Sequence, residues 1–214
     1  MRPGRRVALV LVLPALFWPA TARAEQPARA PADRDYLQYG LAFAAEAIAS
    51  AGDVCPAGSV NPCILGSGGG VGVRVGYRAR DPWYLGGSYQ FSRHDSSNLF
   101  ELAILQQARA EGRYYFEHGD RATAFVTAAL GVHLYGDEWR ADTGGGLLAA
   151  GAGLELQLSP STAIGCMALY RMLVPRAWTD SAGARRADGL LGFGLAHLVA
   201  LELTLEVREQ LRRF

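Results

Sequence analysis

Two adjacent runs set the period of the chain. From Gly70 to Arg78, Val71, Val73, Val75 and Tyr77 alternate with Gly72, Arg74, Gly76 and Arg78. From Trp83 to Ser92, Trp83, Leu85, Tyr89 and Phe91 alternate with Tyr84, Gly86, Ser88, Gln90 and Ser92, and only Gly87 breaks the apolar row. Successive side chains of a strand point to opposite faces, so a period of two predicts strands. Ala79 to Pro82, a short link with a Pro-containing turn signal, joins them into a hairpin. One face is large and apolar. The other is small or polar, with scattered charge.

The same pattern recurs along the chain. Tyr36 to Ala49 places Leu37, Tyr39, Leu41 and Phe43 opposite Gln38, Gly40, Ala42 and Glu46; its alanines also allow a helix, but the spacing of Tyr39, Leu41 and Phe43 favours a strand. Further runs span Leu102 to Phe116, Ala124 to Tyr135, Leu148 to Leu158, Ile164 to Met172 and Leu191 to Arg208. Glu101 to Ala108 has some helical character. His197 falls on the apolar face of the last run, which predicts a bulge nearby. The links alternate in length. Those at 79–82, 117–121 and 159–162 are tight; those at 50–67, 93–98, 136–145 and 175–189 are longer. In an up-and-down meander all the longer links fall at one end. The expected fold is all-β, an eight-stranded antiparallel up-and-down barrel spanning residues 36–214.

Alternation alone does not separate a membrane barrel from a soluble one of the lipocalin class, which would turn its apolar face inward to bind a ligand. Composition decides. The non-apolar face is mostly Gly, Ala and Ser, with Arg74, Arg78, Arg109, Glu111, Arg113, Glu155, Arg171, Glu202 and Glu206 dispersed through it. Small residues suit the narrow lumen of eight strands, and the charges can pair there as a solid polar core rather than an aqueous channel. The apolar face carries almost no charge, as lipid requires. Aromatics gather at both ends: Tyr36, Tyr39, Tyr77, Trp83, Tyr114 and Phe116 on the tight-turn side, Phe91, Tyr135, Trp139, Tyr170 and Trp178 on the other. Two interfacial girdles are the expectation for a transmembrane β-barrel.

The ends and the charge fit this reading. Arg2, Arg5 and Arg6 precede an apolar run from Val7 to Trp18, and Ala22-Arg23-Ala24 reads as a cleavage site, so residues 1–24 are expected to be a signal peptide and 25–35 a disordered lead-in rich in Pro and Ala. No later stretch is long and apolar enough for a transmembrane helix. Without the four leader arginines, 17 arginines face 20 acidic residues, a net charge of −3, and nothing in this balance points to nucleic acid. In an oxidising compartment Cys55 and Cys63, bracketing a turn-rich segment, are expected to form a disulfide. Cys166 sits alone in an apolar row.

Other chemistry is sparse. Gly70-x-Gly72-x-x-x-Gly76 has the wrong spacing for a dinucleotide site and no helix follows it. Asp137, Glu138 and Asp142 share a loop but lack the regular spacing of a cation site. No cofactor or metal site is expected.

The leader, the eight alternating runs and the terminal Phe214 resemble the OmpA/OmpX-type outer-membrane β-barrel domain across essentially the whole mature chain. Arg208, Gln210 and Arg212 occupy alternate places before Phe214 that are apolar in that family. The resemblance implies residence in the Gram-negative outer membrane, contact with its lipids, insertion by the barrel assembly machinery, and a monomer. It implies a non-enzymatic structural or surface-interaction module working through extracellular loops. His94-x-Ser96 faintly resembles the His-x-Ser element of the outer-membrane lipid A deacylases, also eight-stranded barrels. That alternative would make His94 the base and Ser96 the nucleophile, with Glu101 or Glu111 as the acid.

Overall fold

A computed structural model describes residues 34–55, 62–80, 82–116, 121–180 and 183–211. The expected signal peptide, the expected lead-in through residue 33, the expected turn at 117–120 and Phe214 lie outside the described residues.

Eight long strands close on themselves: β1 (Tyr36–Ser50), β2 (Gly68–Arg78), β3 (Trp83–His94), β4 (Ala103–Tyr115), β5 (Ala122–Asp137), β6 (Thr143–Ser159), β7 (Thr162–Pro175) and, after a short hairpin, β10 (Ala196–Gln210). The hairpin, β8 (Trp178–Thr179) and β9 (Arg185–Arg186), lies in the last long link. Each barrel strand pairs antiparallel with its chain neighbour, and β1 closes the ring against β10.

Paired residues followed once around the ring show the stagger. They run from Ala196 through Leu173, Leu147, Gly131, Arg109, Ser88, Arg74 and Gly40 and return to β10 at Glu206, ten residues further along. Such a shear tilts the strands by roughly 35–45°.

The faces fall as the alternation predicts. Leu85, Leu130 and Leu154 point outward and are 63%, 64% and 60% exposed, while Arg74, Arg113, Arg171 and Glu202 point inward and are buried. A lipocalin would show the reverse. The exposed apolar wall is continuous around the ring, far more than a water-soluble monomer tolerates, and it marks a barrel that sits in lipid. Closure leaves no unpaired strand edge in the hydrocarbon.

The structure corrects several boundaries. β5 and β6 stay paired to Tyr135–Thr143, so the link expected at 136–145 shrinks to 138–142. The final strand starts at Ala196 rather than Leu191, because Leu190–Gly192 forms a 3-10 turn with Leu191 at φ 58°. The segment at 101–108 is extended from Ala103 on. A register shift between Ile48 and Ser50 lies on β1 directly opposite His197, the expected place for a bulge. Tyr36, Tyr135 and Trp178 are buried and leave the girdles. Trp83, Tyr114 and Phe116 remain as an edge-on aromatic row at one end, and Phe91 with Trp139 at the other.

Candidate functional site

The inward faces build two stacked layers. The layer nearer the tight turns is ionic. Inward positions on β2, β4 and β7 carry Arg74, Arg109, Arg113 and Arg171, and those on β1, β4 and β10 carry Glu46, Glu111, Glu202 and Glu206. Glu202 receives Arg74 and Arg109, each at 3.0 Å, and Arg171 as well. Glu206 receives Arg74 at 3.2 Å and Arg113 at 3.0 Å. Glu111 receives Arg74 at 3.0 Å and Arg113 at 3.3 Å. Arg171 also pairs with Glu46, which accepts from Gln90 at 2.9 Å and Gln107 at 3.2 Å. Isolated buried charges would be prohibitive, and shared, multiply bonded ones are how such a core persists. Tyr84 completes the packing. Its ring lies across Gly76 and Gly86, where any Cβ would collide with it, and Arg113 stacks 4.8 Å above its centroid.

At the turn-side end of this layer stands a smaller cluster. Glu155 pairs with Arg208 and accepts from the Tyr115 hydroxyl at 3.1 Å. Arg78 lies 3.9 Å from Glu155, with its guanidinium 3.2 Å over the Tyr115 ring. Gln38 bridges the two clusters by donating to Glu206 and accepting from Arg208.

The layer nearer the long links is apolar. Leu105, Leu147, Leu173 and Leu198 point inward from the strands, and Val54, Ile64, Leu65, Phe100 and Trp178 descend on them from the links. Between them they leave no appreciable cavity. The β1–β2 link is the hub of this plug. The disulfide Cys55–Cys63 closes it. The Ser97 hydroxyl from the β3–β4 link donates to the Cys63 carbonyl at 2.8 Å, and the Tyr135 hydroxyl donates to the Ile64 carbonyl. From the β7–β10 link, Arg186 donates to the Pro62 carbonyl at 3.1 Å while paired with Asp180 at 2.8 Å, and the Ala187 amide donates to the Asp53 carbonyl at 2.9 Å.

The nine charged residues singled out from the alternation all face the lumen, and all are engaged with one another or with further inward groups. Glu46 and Arg208 belong to the same core and were not singled out, although both stand at inward positions of the alternation. The apolar upper layer was missed too; its trace is the loss of contrast between faces at Ile104-Leu105 and Leu147-Leu148.

His94 and Ser96 are not brought together. His94 bonds Glu46 through Nε2 and the Gly66 carbonyl through Nδ1, each at 2.8 Å. The Ser96 hydroxyl is turned onto the backbone of Phe100, accepting from its amide at 3.1 Å and donating to its carbonyl at 3.2 Å. Glu101 is exposed and Glu111 belongs to the arginine core. Asp137 accepts from the Leu102 amide at 2.9 Å, Asp142 pairs with Arg140 at 3.0 Å, and no group of three metal-ligating side chains forms among the described residues. Cys166 is a free thiol on the exposed outer wall.

No protein-family model matches the chain, and no curated protein matches it either. Solved structures do. The outer membrane protein OprG from Pseudomonas aeruginosa superposes with a TM-score of 0.53 at 13% identity, over 87% of this chain and 99% of that one. The outer membrane protein AlkL, determined in lipid bilayers, gives 0.52 at 14% identity, over 85% and 93%. At such identities the likeness is one of architecture, and the architecture is that of the small outer-membrane β-barrels.

Proposed function

We propose that the protein resides in the outer membrane as a monomeric, non-enzymatic barrel and acts as a structural or surface-interaction module through its loops. On this reading residues 1–24 direct export, and the assembly machinery for outer-membrane barrels inserts the mature chain. One observation carries the proposal. Among the described residues the lumen carries a paired ionic layer below and a packed apolar layer above, so contact with the outside passes through the links that form the plug. The separate engagements of His94 and Ser96 support a role without hydrolysis.

The test is electrical. The refolded chain in a planar bilayer is expected to give no steady ohmic current, because no continuous aqueous path threads the arginine–glutamate core. A stable conductance from the wild-type protein would replace the module reading with a channel. In the same preparation, Ser96→Ala is expected to leave the acylation of added lipid A unchanged; hydrolysis by the wild type that this variant loses would make the protein an enzyme.

A further inference from the structure

The ionic core divides into two parts with different charge. In the upper part Arg74, Arg109, Arg113 and Arg171 meet Glu46, Glu111, Glu202 and Glu206, four against four. Among the described residues, Arg78 and Arg208 of the turn-side part share one carboxylate, Glu155. Arg208 holds it, and the Tyr115 hydroxyl takes its other oxygen. Arg78 is left 3.9 Å away, beyond hydrogen-bonding distance.

Arg78 is 9% exposed, its Nη1 is fully buried, and its guanidinium donates no hydrogen bond among the described residues. The Tyr115 ring, 3.2 Å from the guanidinium carbon, occupies one face of the fork and leaves its donors free. Arg78 ends β2 on the tight-turn side, where the lumen meets the periplasmic interface in the proposed orientation. A buried cation with spare donors at the mouth of a water-excluding core is costly unless an anion completes it.

We propose that the turn-side mouth of the barrel binds one oxyanion of the phosphate class, held by Arg78 with Arg208 beside it. The planar guanidinium fork matches two oxygens of a phosphate or phosphodiester. A single anion would bring the Arg78–Arg208–Glu155 cluster to neutrality and match the balance of the core above. The same chemistry is offered by inorganic phosphate in the periplasm and by a phospholipid headgroup of the inner leaflet.

The folded full-length chain in a maltoside detergent, which contains no phosphate, separates these sources. Inorganic phosphate is titrated at constant ionic strength against a chloride control and followed by calorimetry and by the Arg78 Nε–H resonance. Binding is expected to weaken about ten-fold or more in Arg78→Gln, the loss of one charge-assisted contact. It is expected to tighten in Glu155→Gln. In a second arm, protein extracted from phosphatidylglycerol membranes is weighed intact by native mass spectrometry. A phospholipid retained by the wild type and lost in Arg78→Gln identifies the headgroup as the source; phosphate binding without retained lipid identifies the free ion. Should Arg78→Gln not assemble, the wild-type resonance decides alone. An Arg78 signal indifferent to phosphate, together with no retained lipid, overturns the proposal.

Discussion

Glu202 is the residue on which the core converges, with Arg74, Arg109 and Arg171 all pointing at its two oxygens. Glu202→Gln keeps the shape and removes the charge, leaving three buried guanidiniums short of a counter-charge. We expect it to destabilise the folded barrel by about 3–5 kcal/mol, the cost of breaking a buried ion pair from one side. Urea unfolding in detergent measures this, and a midpoint equal to that of the wild type would mean the pairs contribute nothing. On the outer wall it is the introduction of a charge that destabilises. Leu154 is exposed to lipid, and Leu154→Arg near mid-strand should cost roughly 2–4 kcal/mol. Its control is Gly131→Arg on the inward face, where the new side chain would meet the Ala108 backbone and the effect reports packing instead. A freely tolerated Leu154→Arg is incompatible with a lipid-facing wall.

Among the elements, the β1–β2 link does the most connecting, and its disulfide closes a separation of eight residues. In the chain-entropy model so short a loop contributes about 2–3 kcal/mol. That contribution is local, because the strand ladder closes the ring without it. Cys63→Ser is therefore expected to leave the barrel assembled while making the link easier for external protease to cut. The links that lean on it, through Ser97 and Arg186, should loosen with it. Cleavage at the wild-type rate would show that the plug holds the link unaided. Elements also mark where sequence reading succeeds. The strands were legible because lipid and lumen impose opposite chemistry on alternate residues, as in Val71 to Arg78. Legibility failed where that contrast fades. Near the long links the interior is itself apolar, so Leu147 and Leu148 look alike although one faces the plug and the other lipid. Past the strand end, Leu191, Phe193 and Leu195 keep the alternation while the backbone turns away from the ladder. The pairing of charges was not legible at all. Arg74 and Glu202 lie 128 residues apart, and only the closed ring makes them neighbours.

For the molecule as a whole, closure predicts resistance to SDS at room temperature, since every barrel strand has two partners and the barrel offers no edge to solvent or to other chains. Unheated and boiled samples should migrate differently on a gel, and identical mobility would count heavily against the ring. The distribution of the core charges adds a consequence for how that ring is made. Arg74 and Arg78 belong to β2, Arg109 and Arg113 to β4 and Arg171 to β7, whereas Glu202 and Glu206 come only with β10. A sheet rolled as far as β7 thus carries five inward arginines against three inward glutamates, an unneutralised trough. β10 adds Glu202 and Glu206 against one further inward arginine, Arg208, and so arrives as a partial counter-ion of the strands before it. Zipping β10 onto β1 and lowering that excess from two arginines to one are one event, and a half-inserted sheet has an electrostatic reason to finish.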